Sequence, residues 1–244
     1  LLVKACLNGS RAFGEHPALP LTPTQLADAA RDAVAAGAGA LHIHPRRIDG
    51  SQSFAPADVA AAVTAVRAAC PGVPVGGTTA AWVEPDPARR LALVQAWTIR
   101  PDFVSVNFSE AGTEQLCAAL LHAGIGIEAG LASTADARLL IETGLANRCM
   151  RLLIEPDDEP TVAATLATAQ AIVALLDRAD IHTPRLLHGS ESSTWPLLDE
   201  ALRCGYDTRI GFEDTLVLPD GSPARDNAQL VATARERAAA AGRM

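Results

Sequence analysis

The sequence predicts a single (β/α)₈ barrel over residues 1–244, and three observations point to it. The length suits one α/β barrel. Short apolar runs alternate from end to end with longer, alanine-rich amphipathic segments, the rhythm of strands followed by crossover helices. Polar residues gather at the trailing ends of the strand candidates, the end at which such barrels carry their chemistry.

The strand candidates, in order, are Leu2–Leu7, Ala40–His44, Val73–Thr78, Phe103–Asn107, Gly124–Glu128, Met150–Ile154, Arg185–His188 and Thr208–Phe212. The helical segments between them have recognisable starts. Thr22 precedes a proline and then Gln25, close to a capping box. Pro56 with Asp58, the Pro85–Pro87 stretch, Ser133-Thr134 with Asp136, and Pro160 mark further starts. Gly37, Gly144 and Gly205 fall where helices are expected to stop. A doubly wound open sheet usually shows fewer strands and a Gly-rich phosphate turn after the first. Here the first strand runs into LNGSR, which is no such turn, and no linker or internal repeat divides the chain.

Charge excludes several function classes. The net charge is −8 and the isoelectric point near 5.2, a poor match for nucleic acid or an anionic membrane, which both select basic patches. Lys4 is the sole lysine. It stands at the start of the first strand candidate, the wrong end for a Schiff base, so lysine-based aldolase chemistry is not expected. Cys6, Cys70, Cys117, Cys149 and Cys204 form no CxxC pair, and are expected as reduced thiols, mostly filling the core. No apolar run is long enough to span a membrane, and no signal-peptide layout opens the chain, so the expected location is the cytoplasm.

The strongest local signal is LHIHP. Residues two apart on a strand share a face, so His42 and His44 can present two imidazoles to one ion. Two hydrogen-bonded polar residues at a strand end is the plainer reading. RIGFED adds Glu213 and Asp214 after the eighth strand candidate, where adjacent residues point apart and one can reach a metal while the other faces a substrate. Two histidines and a carboxylate leave coordination positions open for catalysis. Glu128 ends the apolar run GIGIEAG, where a carboxylate is costly unless paired or bound; ligand, general base and structural salt bridge are the alternatives. Arg209 needs an acidic partner, and Asp214 is the nearest in sequence. His188, in LLHGSE, reads as a substrate ligand or a hydrogen-bonded rim residue, whereas His16, His122 and His182 read as surface residues.

Together with NGSR, HPALPLT, VGGTTAAW, PDFVSVN, IEAGL and TRIGFEDTLVLPDG followed by NAQLV, these residues resemble the β-keto acid cleavage enzymes over nearly the whole chain. The resemblance implies a zinc-dependent (β/α)₈ barrel that condenses a β-keto acid with acetyl-CoA, giving acetoacetate and a new acyl-CoA. It implies that His42, His44 and Glu213 hold the metal. It also implies that Arg209 and Asp214 supply base chemistry, that Glu128 is a further active-site carboxylate, and that Ser105 and Asn107 contact substrate. Thr78 stands where the family has a serine. Ser10 stands where the enzyme of lysine fermentation has a glutamate for its substrate's amino group, so 3-keto-5-aminohexanoate is not the expected substrate. Family habit implies a homo-oligomer. Two other functions fit the same residues: a metal-dependent retro-aldol or retro-Claisen lyase that uses no CoA, and a non-catalytic metal-containing binding protein. The retained Arg209, Asp214 and Glu128 argue against the last, because binding alone needs no base.

Overall fold

The computed structural model describes residues 1–157 and 159–243. Its strands are β1 (Val3–Cys6), β2 (Ala40–Ile43), β3 (Val75–Thr78), β4 (Phe103–Asn107), β5 (Gly126–Leu131), β6 (Arg151–Ile154), β7 (Arg185–Leu187) and β8 (Thr208–Ile210). They pair in parallel in the order β7-β6-β5-β4-β3-β2-β1-β8. The two ends of that sheet meet at the parallel bridge Leu186↔Asp207. There the Leu187 amide donates to the Asp207 carbonyl at 3.0 Å and the Thr208 hydroxyl donates to the Leu187 carbonyl at 3.0 Å. The result is a nearly closed (β/α)₈ barrel.

Helix boundaries follow the capping chemistry in the sequence. Before α1 (Pro23–Ala35), the Thr22 hydroxyl accepts from the Gln25 amide and the Gln25 side chain accepts from the Thr22 amide. Ser133 and Asp136 make the same reciprocal pair before α5 (Thr134–Glu142). Each box satisfies amides that the first helical turn leaves without partners. Helix α7 (Thr194–Cys204) stops at Gly205, whose φ of 74° suits glycine. α2 (Pro56–Ala69), α3 (Pro87–Gln95), α4 (Thr113–His122), α6 (Val162–Arg178) and α8 (Asn227–Ala240) complete the outer ring.

Period-two alternation sorts the strand residues into two environments. Val3, Ala5, Leu41, Ile43, Ile127 and Leu152 belong to the apolar cluster that the helices cover. Their neighbours Lys4, His42, Glu128 and Arg151 are on the barrel's inner side, and there the interior is charged. Lys4 is fully buried and pairs with Glu128 Oε2, with its ammonium 5.7 Å from the centre of the Phe103 ring. Arg151 donates to Glu128 Oε1 at 2.6 Å and reaches Asp207 at 3.3 Å. Both carboxylate oxygens of Glu128 are thus taken by cations.

Glu128 does not end its strand as the sequence suggested. Strand β5 runs on to Leu131, because Ala129, Gly130 and Leu131 continue the ladder beside β6 as well as the carboxylate does. The residue that borders the cavity described below is therefore Gly130. Removing one member of a buried ion pair leaves an uncompensated charge and typically costs about 3–5 kcal/mol. Lys4→Met leaves Glu128 with Arg151 as its remaining cation, so it is expected to lower unfolding free energy by less than that, and Lys4→Met/Glu128→Leu by less again. Urea unfolding checks both; equal losses for the single and double variants would sink the assignment of Lys4 as the counter-charge.

Cys6, Cys70, Cys117 and Cys149 are buried and Cys204 is exposed, and all are free thiols. Burial pushes the Cys117 thiol up to about 12 and that of Cys149 up to about 11, so thiolate is scarce at these positions at neutral pH. Alkylation of the native protein at pH 8, followed by peptide mapping, is expected to mark Cys204 first and Cys117 and Cys149 only on unfolding.

Candidate metal centre

The trailing ends of the strands surround a cavity of about 490 Å³. His44, Glu213 and Arg209 border one side, Thr78, Ser105 and Asn107 the β3–β4 side, and Glu155 and His188 the β6–β7 side. Sequence reading missed several further lining residues, among them Trp82, Ser109, Glu110 and Ser190. They lie in loops, where strand periodicity carries no information. Ser10 is exposed and not among the lining residues. Gly9 before it takes φ of 50°, a turn that carries the following residue to the surface.

His42, His44 and Glu213 offer ligand atoms that all lie within 4.8 Å of one another. The two Nε2 atoms are 3.0 Å apart, and each is 3.6 Å from Glu213 Oε2. Both imidazoles are buried, and burial holds them below the ordinary histidine value despite the opposing pull of Glu213. Neutral rings facing each other and a carboxylate can present lone pairs to a shared point, which suits a cation. Burial alone would raise Glu213, but Arg209 and the two histidines outweigh it and keep the carboxyl well below its usual range. Its Oε2 is buried with no hydrogen-bond partner, an orphan that a metal ion would satisfy. The residues present fit a divalent ion.

Local structure explains how the three donor groups meet. Asn8, buried at the end of β1, donates to the His44 carbonyl at 2.9 Å and accepts from the His44 amide at 2.9 Å. Asn227, at the start of α8, accepts from the Phe212 amide at 2.8 Å and donates to the Leu7 carbonyl at 3.0 Å. These carboxamides tie together the ends of β1, β2 and β8, from which the candidate donor groups project. Gly9 leaves room for Glu213: a Cβ there would come within 2.4 Å of the Glu213 Cγ, in a conformation that already disfavours side chains. Gly9→Ala is expected to displace Glu213 and weaken metal binding at least tenfold while α-helical content is kept, which metal titration and circular dichroism would check together.

Beside the donor set, Arg209 bridges two carboxylates. It contacts Asp214 Oδ1 through Nε at 3.0 Å and Nη2 at 2.8 Å, and Glu213 Oε1 through Nη2 at 3.0 Å. Burial raises the Asp214 carboxyl above the usual value, with Arg209 and His188 opposing. Its Oδ2 has no hydrogen-bond partner and is buried. His188 faces Glu155 at 3.0 Å through Nε2 and lies 3.8 Å from Asp214 through Nδ1. The arrangement couples a candidate cation site, a carboxyl that burial raises above its usual value, and an arginine that orients it. Such a trio can hold an anionic small molecule against a cation and move a proton beside it. Among the expected surface histidines, His182 is exposed, but His16 is half-buried against Phe212, with ring centres 4.2 Å apart.

The family model for beta-keto acid cleavage enzymes matches residues 1–244, and the chain belongs to that family. A 3-keto-5-aminohexanoate cleavage enzyme of Acetoanaerobium sticklandii is 22% identical, the match covering 95% of this chain and 89% of that one. The enzyme of the same name from Fusobacterium nucleatum is 23% identical over 95% and 88%. Among solved structures, ObcA superimposes with a TM-score of 0.76 at 17% identity, covering 93% of this chain. The chain spans 63% of the length of ObcA. The 3-hexulose-6-phosphate synthase of Salmonella typhimurium shares the fold at a TM-score of 0.56 and 14% identity. At such identities the structural likenesses speak to the barrel alone.

Proposed function

We propose that the chain is a zinc-dependent enzyme that exchanges fragments between a β-keto acid and acetyl-CoA. The bond between the keto carbon and the CH₂–COO⁻ group breaks. That fragment joins the acetyl group to give acetoacetate, and the CoA thiol takes the remaining acyl group. The observation that carries the reading is the His42, His44 and Glu213 cluster with Asp214 and Arg209 at its side.

When bound, a divalent ion supplies a Lewis acid for the keto and carboxylate oxygens of the substrate. Two imidazoles and one carboxylate with open positions suit zinc. Asp214, held by Arg209, is the general base. Arg209 orients that carboxylate and adds positive charge where negative charge develops. Ser105, Asn107 and Thr78 form the β3–β4 wall of the cavity and contact substrate. The Ser105 hydroxyl is free of intramolecular hydrogen-bond partners among the described residues and so is available to it. His188, fixed by Glu155, closes the opposite side. Glu128 acts from below, as the buried partner of Lys4 and Arg151. ObcA, which shares the barrel, has been captured with a C4-CoA adduct and oxalate, and separately with oxaloacetate, itself a β-keto acid. That supports both the substrate class and the CoA partner.

With Ser10 exposed at the place of the family's glutamate, no carboxylate of the β1–α1 loop joins the cavity lining among the described residues. This supports a β-keto acid substrate other than 3-keto-5-aminohexanoate. The test is a panel of β-keto acids assayed for acetoacetate with and without acetyl-CoA, after elemental analysis of the purified protein. Acetoacetate that appears only with acetyl-CoA, alongside a new acyl-CoA, is the expected result. Cleavage that proceeds equally without acetyl-CoA would instead identify a lyase.

A further inference from the structure

We infer that Gln52 is the positioning residue that fixes which nitrogen of His44 faces the metal, and thereby sets the metal affinity of the site. This rests on the metal-centre reading above. The Gln52 Oε1 lies 2.5 Å from Nδ1 of His44. A carboxamide oxygen only accepts, so the hydrogen of the neutral ring sits on Nδ1 and the lone pair on Nε2. Nε2 is the atom that faces His42 at 3.0 Å and Glu213 at 3.6 Å. One contact therefore selects the tautomer that can ligate and holds the ring's orientation towards the shared point.

His42 has no counterpart to this contact. Its Nδ1 is buried with no hydrogen-bond partner among the described residues. The two ligating rings are thus unequal, and of the pair only His44 has its tautomer set by a side chain. Loss of Gln52 leaves both rings free to place their hydrogen on the ligating nitrogen, or to turn. Outer partners of ligating histidines commonly change metal affinity by about 10–100-fold when removed.

Gln52 is brought to His44 by a hairpin rather than by a barrel strand. The chain turns at Asp49-Gly50, where Gly50 has φ of 85° and Asp49 accepts from the Ser51 amide and hydroxyl at 2.9 Å and 2.6 Å. Arg46 and Gln52 then face each other across an antiparallel bridge. Arg46 fastens that hairpin by donating to the Gly9 carbonyl at 2.5 Å and the Arg11 carbonyl at 3.0 Å. Gly9 is the residue that makes room for Glu213. The hairpin is therefore anchored to the same loop that seats the third ligand, which keeps Gln52 in register with the donor set.

The test measures metal binding rather than turnover. Wild type, Gln52→Met, Gln52→Leu and Gln52→Glu are stripped of metal and titrated with Zn²⁺ against a chromophoric chelator. Co²⁺ spectra report ligand geometry, and thermal unfolding of the metal-free proteins reports the fold. Gln52→Met and Gln52→Leu are expected to bind Zn²⁺ about 10–100-fold more weakly, with altered Co²⁺ bands and unchanged metal-free melting. Gln52→Glu, an acceptor of the same reach, is expected to bind at least as tightly as wild type. A wild type that binds Zn²⁺ while Gln52→Met matches it within twofold would overturn this inference alone. Equal weakening in Gln52→Glu would also overturn it, since an acceptor would then not be what His44 needs. A wild type that binds no ion would instead remove the metal-centre reading on which it rests.

Discussion

Replacing His42 with alanine, or Glu213 with glutamine, is expected to abolish stoichiometric metal binding and turnover together. The cluster has three protein donors, and a catalytic zinc site needs three to hold the ion while a further position stays open. Losing one leaves two, and no other His, Cys, Asp or Glu group among the described residues meets the same spacing. The two variants fail for different reasons. His42→Ala removes an uncharged donor and opens a small buried space. Glu213→Gln keeps the volume but removes the negative charge opposite two neutral imidazoles, and leaves the Arg209 contact to Glu213 without its counter-charge. Elemental analysis and activity in metal-buffered assays check both. Full turnover by either variant in metal-free buffer would end the metal-centre reading, whatever its substrate.

The barrel and much of this centre were legible from residue order, because the chemistry involved is local. Capping boxes at Thr22 and Ser133 depend on side chains three residues apart, and they begin helices where expected. His42 and His44 share a face because they are two apart on or beside one strand, and Glu213 follows the strand that pairs with the opposite side of β1. What failed was register and reach. The strand at Glu128 was expected to stop at its first charge, yet a buried carboxylate with two cationic partners is as admissible in a ladder as an apolar residue. Its partners are 124 and 23 residues away, a relation that no periodicity encodes. Ser10 was read by its place in a motif, and the left-handed Gly9 takes it out of the cavity. Gln52 was not read from the sequence, and the Asp-Gly pair at Asp49-Gly50 is the one local signal that could have pointed to it. That signal predicts a hairpin, and the hairpin is what returns a glutamine to His44.

Asp214→Asn is expected to lower kcat by about 10²–10⁴-fold, the usual contribution of a positioned general base, while metal content stays at wild-type stoichiometry. The separation follows from Arg209. Its guanidinium holds Asp214 through Nε at 3.0 Å and shares Nη2 between Asp214 at 2.8 Å and Glu213 at 3.0 Å, so the Glu213 contact persists for as long as Arg209 stays in place. Asparagine can still accept at the Oδ1 position, so Arg209 stays placed and the ligand carboxylate keeps its partner. What disappears is the ability of position 214 to take a proton. Arg209→Met should behave differently: it strips the counter-charge from both buried carboxylates, so metal affinity and kcat fall together. A role for Asp214 confined to holding Arg209 would predict the reverse, with Asp214→Asn nearly as active as wild type. Measuring kcat and bound metal on the same preparations of the two variants decides between these accounts. A fall in metal content in Asp214→Asn equal to its fall in rate would reassign Asp214 from proton transfer to the support of Glu213.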